Sequence, residues 1–479
     1  MKFVDALLTE DAVTENGMVT HSTAGNACVD LFFHIGAARD LSDDKVIALF
    51  APALQEDALT ALKILFYNRD IREGQGERKV FRTIAKYLAD SHTDVLRLNV
   101  ALIPEFGRWD DVLELFGTAL ESDALELIKA GLAADNALCA KWMPRKGPNA
   151  NTIRSFLGVA PKTYRKKLVK LCKEGNVVEQ KMCAKKWSKI DYNQVPSKAA
   201  NQYRKAFGRN DKERYGEYLE GLEKGKTKVN AAAIFPHDIV RPYLGYSPGD
   251  DKLLNAQWKA LPNYLEGNDK GIIPVCDVSG SMSGTPMEVS VSLGLYISER
   301  NVGAFQNAFI TFSSSPKVQF ISGKTLHDRV LQLARADWAQ NTNLEKTFAM
   351  LLKHAVDNKV KAKDMPGTIL ILSDMQFDQC SKEPTNTAMD MIEREYADAG
   401  YRCPNVVFWN LRAVADQAPV KFTKKGTALV SGFSPSILKS ILANKGLTPL
   451  SIMEETINKE RYSKVVVETP VKARKAKRK

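Results

Sequence analysis

The sequence predicts a mixed fold: an all-α module of helical repeats followed by an α/β domain with a doubly wound, mostly parallel sheet. Three observations predict it. Between residues 28 and 250, apolar residues recur at the 3.6-residue period of helices with one buried face. Between residues 268 and 460, short apolar runs suited to buried parallel strands alternate with amphipathic stretches. The first of those runs ends in Asp277-Val278-Ser279-Gly280-Ser281-Met282, an acid followed by two hydroxyls at alternate positions.

In the helical half, Leu59, Leu62, Leu65 and Phe66 share a face, as do Val80, Ile84 and Leu88, then Val112, Leu115, Phe116 and Leu120. Helix breakers fall at Gly74-Gln75-Gly76, at Pro104, at Phe106-Gly107 and at Gly131. Helices in series, with no strand-like alternation between them, suggest stacked pairs of the solenoid kind. No exact repeat is present, so a globular helical domain is the plainer alternative. Residues 1–27 read as an N-terminal extension. Met1 to Glu10 carries Asp5 and Glu10, unlike a secretory signal.

Residues 245–268 form the linker into the α/β half. Its strands are expected at 271–276, 309–312, 368–372 and 406–409. Pro274 cannot donate a ladder hydrogen bond, which places it at the start of the first strand. Ligands of a doubly wound sheet meet the carboxyl ends of the strands. There Asp277, Ser279 and Ser281 are joined by Asp374, after the apolar run 369–372, and by Thr342, in a polar loop before the amphipathic run 344–356. An all-oxygen set of this kind suits a hard cation, Mg²⁺ or else Mn²⁺ or Ca²⁺. Neutral hydroxyls leave the ion electron-poor, so an outside anion can complete its shell.

This five-part pattern resembles the metal-ion-dependent adhesion site (MIDAS) of von Willebrand A domains, and residues 268 to about 460 resemble such a domain throughout. The resemblance implies Ser279, Ser281 and Thr342 as direct ligands, with Asp277 and Asp374 acting largely through waters. Many such domains carry Asp after the threonine; Asn343 here removes one negative charge. Residues 69–78 followed by Phe81, and residues 106–111, resemble signature segments of the Ro-type (TROVE-like) module. That module is a ring of HEAT-like helical repeats joined to a von Willebrand A domain. Residues 178–182 with Trp187, Ile190-Asp191-Tyr192 and Val195-Pro196-Ser197 are similar to a further family of the same two-part architecture, found in plants, fungi and large viruses. That likeness runs from about Asn16-Gly17 to Ser451. The Ro resemblance implies binding of structured RNA on a basic surface and of single-stranded ends in the ring. Read on their own chemistry, the alternating charges and glycines of residues 69–78 indicate salt bridges around a turn.

Charge is unevenly spread. The chain carries +12, yet residues 141–228 hold 23 Lys and Arg against 8 Asp and Glu, and the end of the tail (461–479) adds six cations after Glu468. Everything else is therefore net negative, an asymmetry that points to a polyanion. Candidate RNA contacts are Arg165, Lys166, Lys167, Lys185, Lys186, Arg204, Lys205 and Arg214. The interleaved Tyr164, Trp187, Tyr203 and Tyr215 either stack bases or belong to a core. The tail fits a nucleic-acid arm, a nuclear localisation signal or a solubilising segment.

Several classes are excluded. Seven scattered cysteines without a CxxC pair give neither a zinc site nor a disulfide framework, and indicate a reducing, cytoplasmic setting. No apolar stretch approaches the roughly 20 residues needed to span a bilayer. The six histidines form no HExxH. Gly323-Lys324-Thr325 and Gly225-Lys226-Thr227 lack the earlier glycine of a phosphate loop, having Val318 and Glu220 there. Met282 stands where a nucleophile elbow needs serine. The expectation is therefore a binding protein and not an enzyme: RNA-binding, of ribonucleoprotein type, with a Mg²⁺ adhesion site for an acidic or phosphate ligand. The rival is a protein–protein adaptor whose partner supplies an Asp or Glu to the metal.

Overall fold

The computed structural model describes residues 11–231, 233–245, 251–312, 315–336, 342–379, 387–414, 417–444 and 446–467. Residues 1–10, part of the linker (246–250), Gln340, Asn341, Cys380 and the basic tail from 468 onward lie outside the described residues.

Strands β1 (Asp11–Val13) and β2 (Val19–His21) pair as an antiparallel hairpin. The hairpin lies in the N-terminal extension, ahead of the helical half, and was not expected from the sequence. Asn16-Gly17 between two β-prone runs is a hairpin signal, and Gly17 takes φ +90°, a conformation that other residues resist.

From Ala27 to Lys259 the regular elements are helices that pack on their sequence neighbours, such as Asp43–Glu56 on Ala58–Arg69 and Ser197–Asn210 on Lys212–Glu223. Leu62, Leu65, Phe66, Val80, Ile84 and Leu88 are all buried, as their spacing predicts. Two local readings change. Val112 and Leu115 lie in a 3₁₀ segment, Trp109–Leu115, and the next helix starts only at Glu121. Asp110 and Asp111 are held there by Arg82 and Arg108, and Gly117 at φ +77° turns the chain. Gly131 breaks nothing: it lies inside the helix Glu121–Ala133, where a β-carbon would meet the Trp109 ring at 2.5 Å.

The remaining strands are β3 (Ile272–Cys276), β4 (Ala308–Thr311), β5 (Val318–Phe320), β6 (Thr368–Ser373), β7 (Asn405–Asn410) and β8 (Thr427–Ser431). They form one sheet in the order β5-β4-β3-β6-β7-β8, with β5 alone antiparallel. Counted from β3 this is 3-2-1-4-5-6, the order of a doubly wound α/β sheet. Pro274 is not at the strand's start: it pairs with Leu370 in mid-strand. The Asp277 N–H donates to Leu372 O of β6, so by alternation Pro274 faces β4. There the ladder begins only at Val275, after the missing N–H, and the Ala308 carbonyl accepts from Ser298 Oγ instead.

Both ends of the helical run rest on this domain. Helix Ala27–Ile35 packs on β8, and a β-carbon on Gly36 would meet the Gly432 backbone at 2.8 Å. Helix Pro236–Leu244 packs on Thr285–Arg300. One continuous apolar core therefore runs through helices and sheet, while Tyr192, Phe207, Tyr215 and Tyr218 centre a second, smaller one. Residues 69–78 prove to be a clamp between parts of the chain distant in sequence. Asp70 accepts from Arg461 Nη2 (2.7 Å) and Tyr462 Oη (3.1 Å), and Gln75 Oε1 accepts from the N–H groups of Phe433 (3.0 Å) and Ser434 (3.2 Å). No helix among the described residues is long and apolar enough to cross a membrane.

His237 sits in this seam, stacked on Phe235 and edge-on to Phe433, its Nδ1 without a hydrogen-bond partner among the described residues. Burial pushes its pKa from 6.5 down to about 4; Asp238 opposes the shift, while Lys198, Arg241 and Arg39 add to it. The unfolded chain then binds a proton that the fold does not. Stability is intact above about pH 6.5 and drains away as pH falls toward 4, by about 1.4 kcal/mol per pH unit. His237→Leu is expected to remove that part of the acid sensitivity, read from urea unfolding across this range. Parallel pH profiles for the two proteins would refute the assignment.

Candidate functional site

β3 and β6 lie side by side, with Cys276 opposite Leu372. From β3 the chain winds toward β4, and from β6 toward β7, so the crevice between their carboxyl ends is the topological switch point of the sheet. Asp277 and Ser373-Asp374 leave the strands there.

Asp277 is fully buried. Its carboxylate accepts from Ser373 Oγ (2.6 Å) and from the Ser279 N–H (2.9 Å). Burial first, and then the charge of Asp374, push its pKa up to about 6. Ser279 Oγ and Ser281 Oγ lie 3.0 Å apart, Ser281 being exposed at the mouth. Asp374 is also buried. Its Oδ1 accepts from the Gln376 N–H (3.2 Å), while Oδ2 has no partner among the described residues. Thr342 is buried, and its carbonyl accepts from the Asp378 N–H (3.0 Å). The fold thus gathers Asp277, Ser279, Ser281 and Asp374 at one strand edge and seats Thr342 against the loop that follows Asp374. Asn343, where many such domains have Asp, caps helix Leu344–Asp357 by accepting from the Lys346 N–H (2.7 Å). Met375 takes φ +67°, a left-handed conformation costly for a side-chain-bearing residue, and its N–H donates to Ser373 Oγ (3.1 Å).

These residues fit a hard cation. Two neighbouring ligands of an octahedral Mg²⁺, at bonds of about 2.1 Å, stand about 3.0 Å apart, which is the separation of the two serine hydroxyls. An orphaned carboxylate oxygen beside a second buried carboxylate is costly without a cation. Among the described residues no group of three or more His, Cys, Asp or Glu forms an alternative site.

Two participants escaped the sequence reading. The β1–β2 hairpin braces the loop after Asp374: Thr14 Oγ1 donates to Phe377 O (2.6 Å), Asn16 Nδ2 donates to Gln376 O (2.8 Å), and the Glu15 N–H donates to Gln376 Oε1 (2.8 Å). The Asn16-Gly17 signal announced a hairpin but not its place. Arg412, beyond β7, donates through Nη1 to Ser281 O, bringing a half-exposed guanidinium to the mouth. Nothing local in sequence marks it.

The basic segment divides into two kinds of residue. Arg165, Lys166 and Lys167 are exposed on helix Pro161–Glu174, whose other face buries Tyr164, Leu168 and Leu171. Lys185, Lys186 and Lys205 are exposed as well. Arg204 and Arg214 are engaged within the fold: Arg204 with Asp251 and Asn201, Arg214 with Asp211 and the carbonyls of Trp187 and Ile190. The aromatics belong to cores. Tyr164 and Tyr215 are buried, Tyr203 bonds Glu179, and Trp187 packs edge-on against Phe207. A base-stacking role for them is not what the fold provides.

Two family descriptions match the chain. Residues 14–115 and 148–270 match "Domain of unknown function (DUF2828)", and residues 271–478 match "Domain of unknown function (DUF7788)". A relative, "Uncharacterized protein L728" of Acanthamoeba polyphaga mimivirus, is 33% identical over 494 residues, covering 92% of this chain and 86% of its own. A crystal structure of the RO (RSR) protein of Deinococcus radiodurans aligns with 88% of this chain and 93% of that one, at 13% identity and a TM-score of 0.41. That likeness is too distant to carry an argument.

Proposed function

We propose that this chain, which belongs to the family of the mimivirus protein L728, is a two-ended anion-binding protein: its helical module takes the phosphates of structured RNA, and its sheet domain holds a Mg²⁺-dependent adhesion site. The observation that carries the reading is the exposed cationic face of helix Pro161–Glu174. There Arg165, Lys166 and Lys167 have no acidic partner among the described residues. With the aromatics buried, affinity would come from phosphate contacts and not from stacking.

At the other end, Ser279, Ser281 and Thr342 would hold the ion, with Asp277 and Asp374 behind them through waters. Bound Mg²⁺ would supply an electron-poor position for an anionic oxygen. Arg412 at the mouth favours a negatively charged ligand. Asp277 is kept in place by Ser373 and Ser279, so the donor set is organised before any ligand arrives.

The triple variant Arg165→Glu, Lys166→Glu, Lys167→Glu is expected to flatten the salt dependence of RNA binding. The slope of log K against log salt should fall by about 2 to 3, each phosphate contact contributing about 0.7 to 0.9. Anisotropy titrations with a structured RNA measure it, and an unchanged slope would remove RNA from the proposal. Burial of the aromatics also favours the adaptor reading, in which a partner's Asp or Glu meets the metal. Loss of a protein partner in Asp277→Asn, with RNA affinity unchanged, would select it. Both readings are of binding without catalysis. RNA cleavage by the pure protein with Mg²⁺ would overturn them together.

A further inference from the structure

A second concavity lies at the opposite edge of the sheet. Lys270, Thr368, Asn405 and Gly426 stand at or just before the first residues of β3, β6, β7 and β8, whereas Asp277 and Asp374 follow the last residues of β3 and β6. The groove these strand starts line, closed by Lys439, Ile441 to Asn444 and Gly446 to Thr448, has a volume of about 860 Å³. That is within the range of small-molecule sites, about 300–1,000 Å³.

Its charge is uneven. Lys270, Arg402, Lys425 and Lys439 line it, against Glu266 and Asp269. Residues 268–460 as a whole are almost balanced, with 21 Lys and Arg against 20 Asp and Glu, so the excess is local to the groove. Lys270, Arg402 and Lys425 are all exposed, and none makes an ion pair among the described residues. Lys439 instead lies over the Tyr264 ring at 5.2 Å. Exposed cations lining one groove attract a polyanion. The Asn405 amide and the apolar wall from Ile441 and Leu447 provide the mixed lining that orients a ligand with a less polar part.

We infer that this groove binds a phosphorylated ligand of nucleotide size, its phosphates met by Lys270, Arg402 and Lys425. The site is separate from the metal crevice and from the basic helix, so it stands or falls apart from them.

Calorimetry on the full chain in EDTA tests it, with pyrophosphate, ATP and a short single-stranded RNA as probes. Chelation silences the metal crevice, and the Arg165/Lys166/Lys167 triple variant removes the helical surface. In that background, saturable binding of ATP or pyrophosphate is expected, weakened at least tenfold by Arg402→Glu with Lys425→Glu. Binding of the RNA alone, sensitive to the same pair, would identify strand phosphates as the source. Lys425→Ala alone, an exposed truncation, should weaken binding several-fold and guards against misfolding of the double variant. No saturable heat from any probe, or heat indifferent to these substitutions, would overturn the inference.

Discussion

Substituting Arg69 with methionine is expected to destabilise the chain by about 3–5 kcal/mol, the usual cost of removing one partner from a buried ion pair. Arg69 and Asp111 are both almost inaccessible, with Arg69 Nε and Nη2 2.8 and 2.7 Å from Asp111 Oδ2. Arg82 Nε reaches the other oxygen at 2.8 Å, so Asp111 keeps part of its compensation. The network joins three segments, at residues 69, 82 and 108–111, and sets where the helices cross. Arg69→Lys should recover only part of the loss, because an ammonium lacks the planar fork that meets this carboxylate. Urea unfolding of the three proteins measures it. A loss below about 1 kcal/mol for Arg69→Met would mean that Arg82 and the Arg108 N–H suffice to hold Asp111.

Asp277→Asn is expected to abolish stabilisation by Mg²⁺ while leaving the metal-free fold close to its original stability. Saturating an adhesion site at a hundred times its dissociation constant adds about 2.7 kcal/mol to the unfolding free energy. The isosteric amide keeps an acceptor for the Ser279 N–H and removes one of two neighbouring buried charges. Melting curves with and without Mg²⁺ should therefore separate for the natural chain and coincide for the variant. Equal Mg²⁺ shifts in both proteins would place the ion elsewhere. No shift in either would remove the metal from the proposal.

Four of the sheet's six strands, β3, β4, β6 and β7, were legible because a buried parallel strand needs an unbroken apolar run, as in Ile369-Leu370-Ile371-Leu372; β5 and β8 were not expected. Helical faces such as Val80, Ile84 and Leu88 were legible from their period. Trp109–Leu115 misled because a helical period and a 3₁₀ turn bury similar residues, and the choice lay with the arginines holding Asp110 and Asp111. Gly131 misled because its tolerance in a helix depends on Trp109 overhead. The aromatics beside the lysines could equally have faced inward or outward; helix register against the neighbouring core turned them in.

By itself, the sequence determined the all-helical and α/β halves, four of the sheet's strands, and the chemistry of the strand-end residues. These depend on local periodicity and residue type. Only the tertiary structure decided that the N-terminal hairpin braces the loop after Asp374, that Arg412 reaches the mouth beside Ser281, and that residues 69–78 clamp segments more than 350 positions away. Such contacts arise from the winding of the whole chain around one core, and no local pattern encodes which distant surface a side chain will meet.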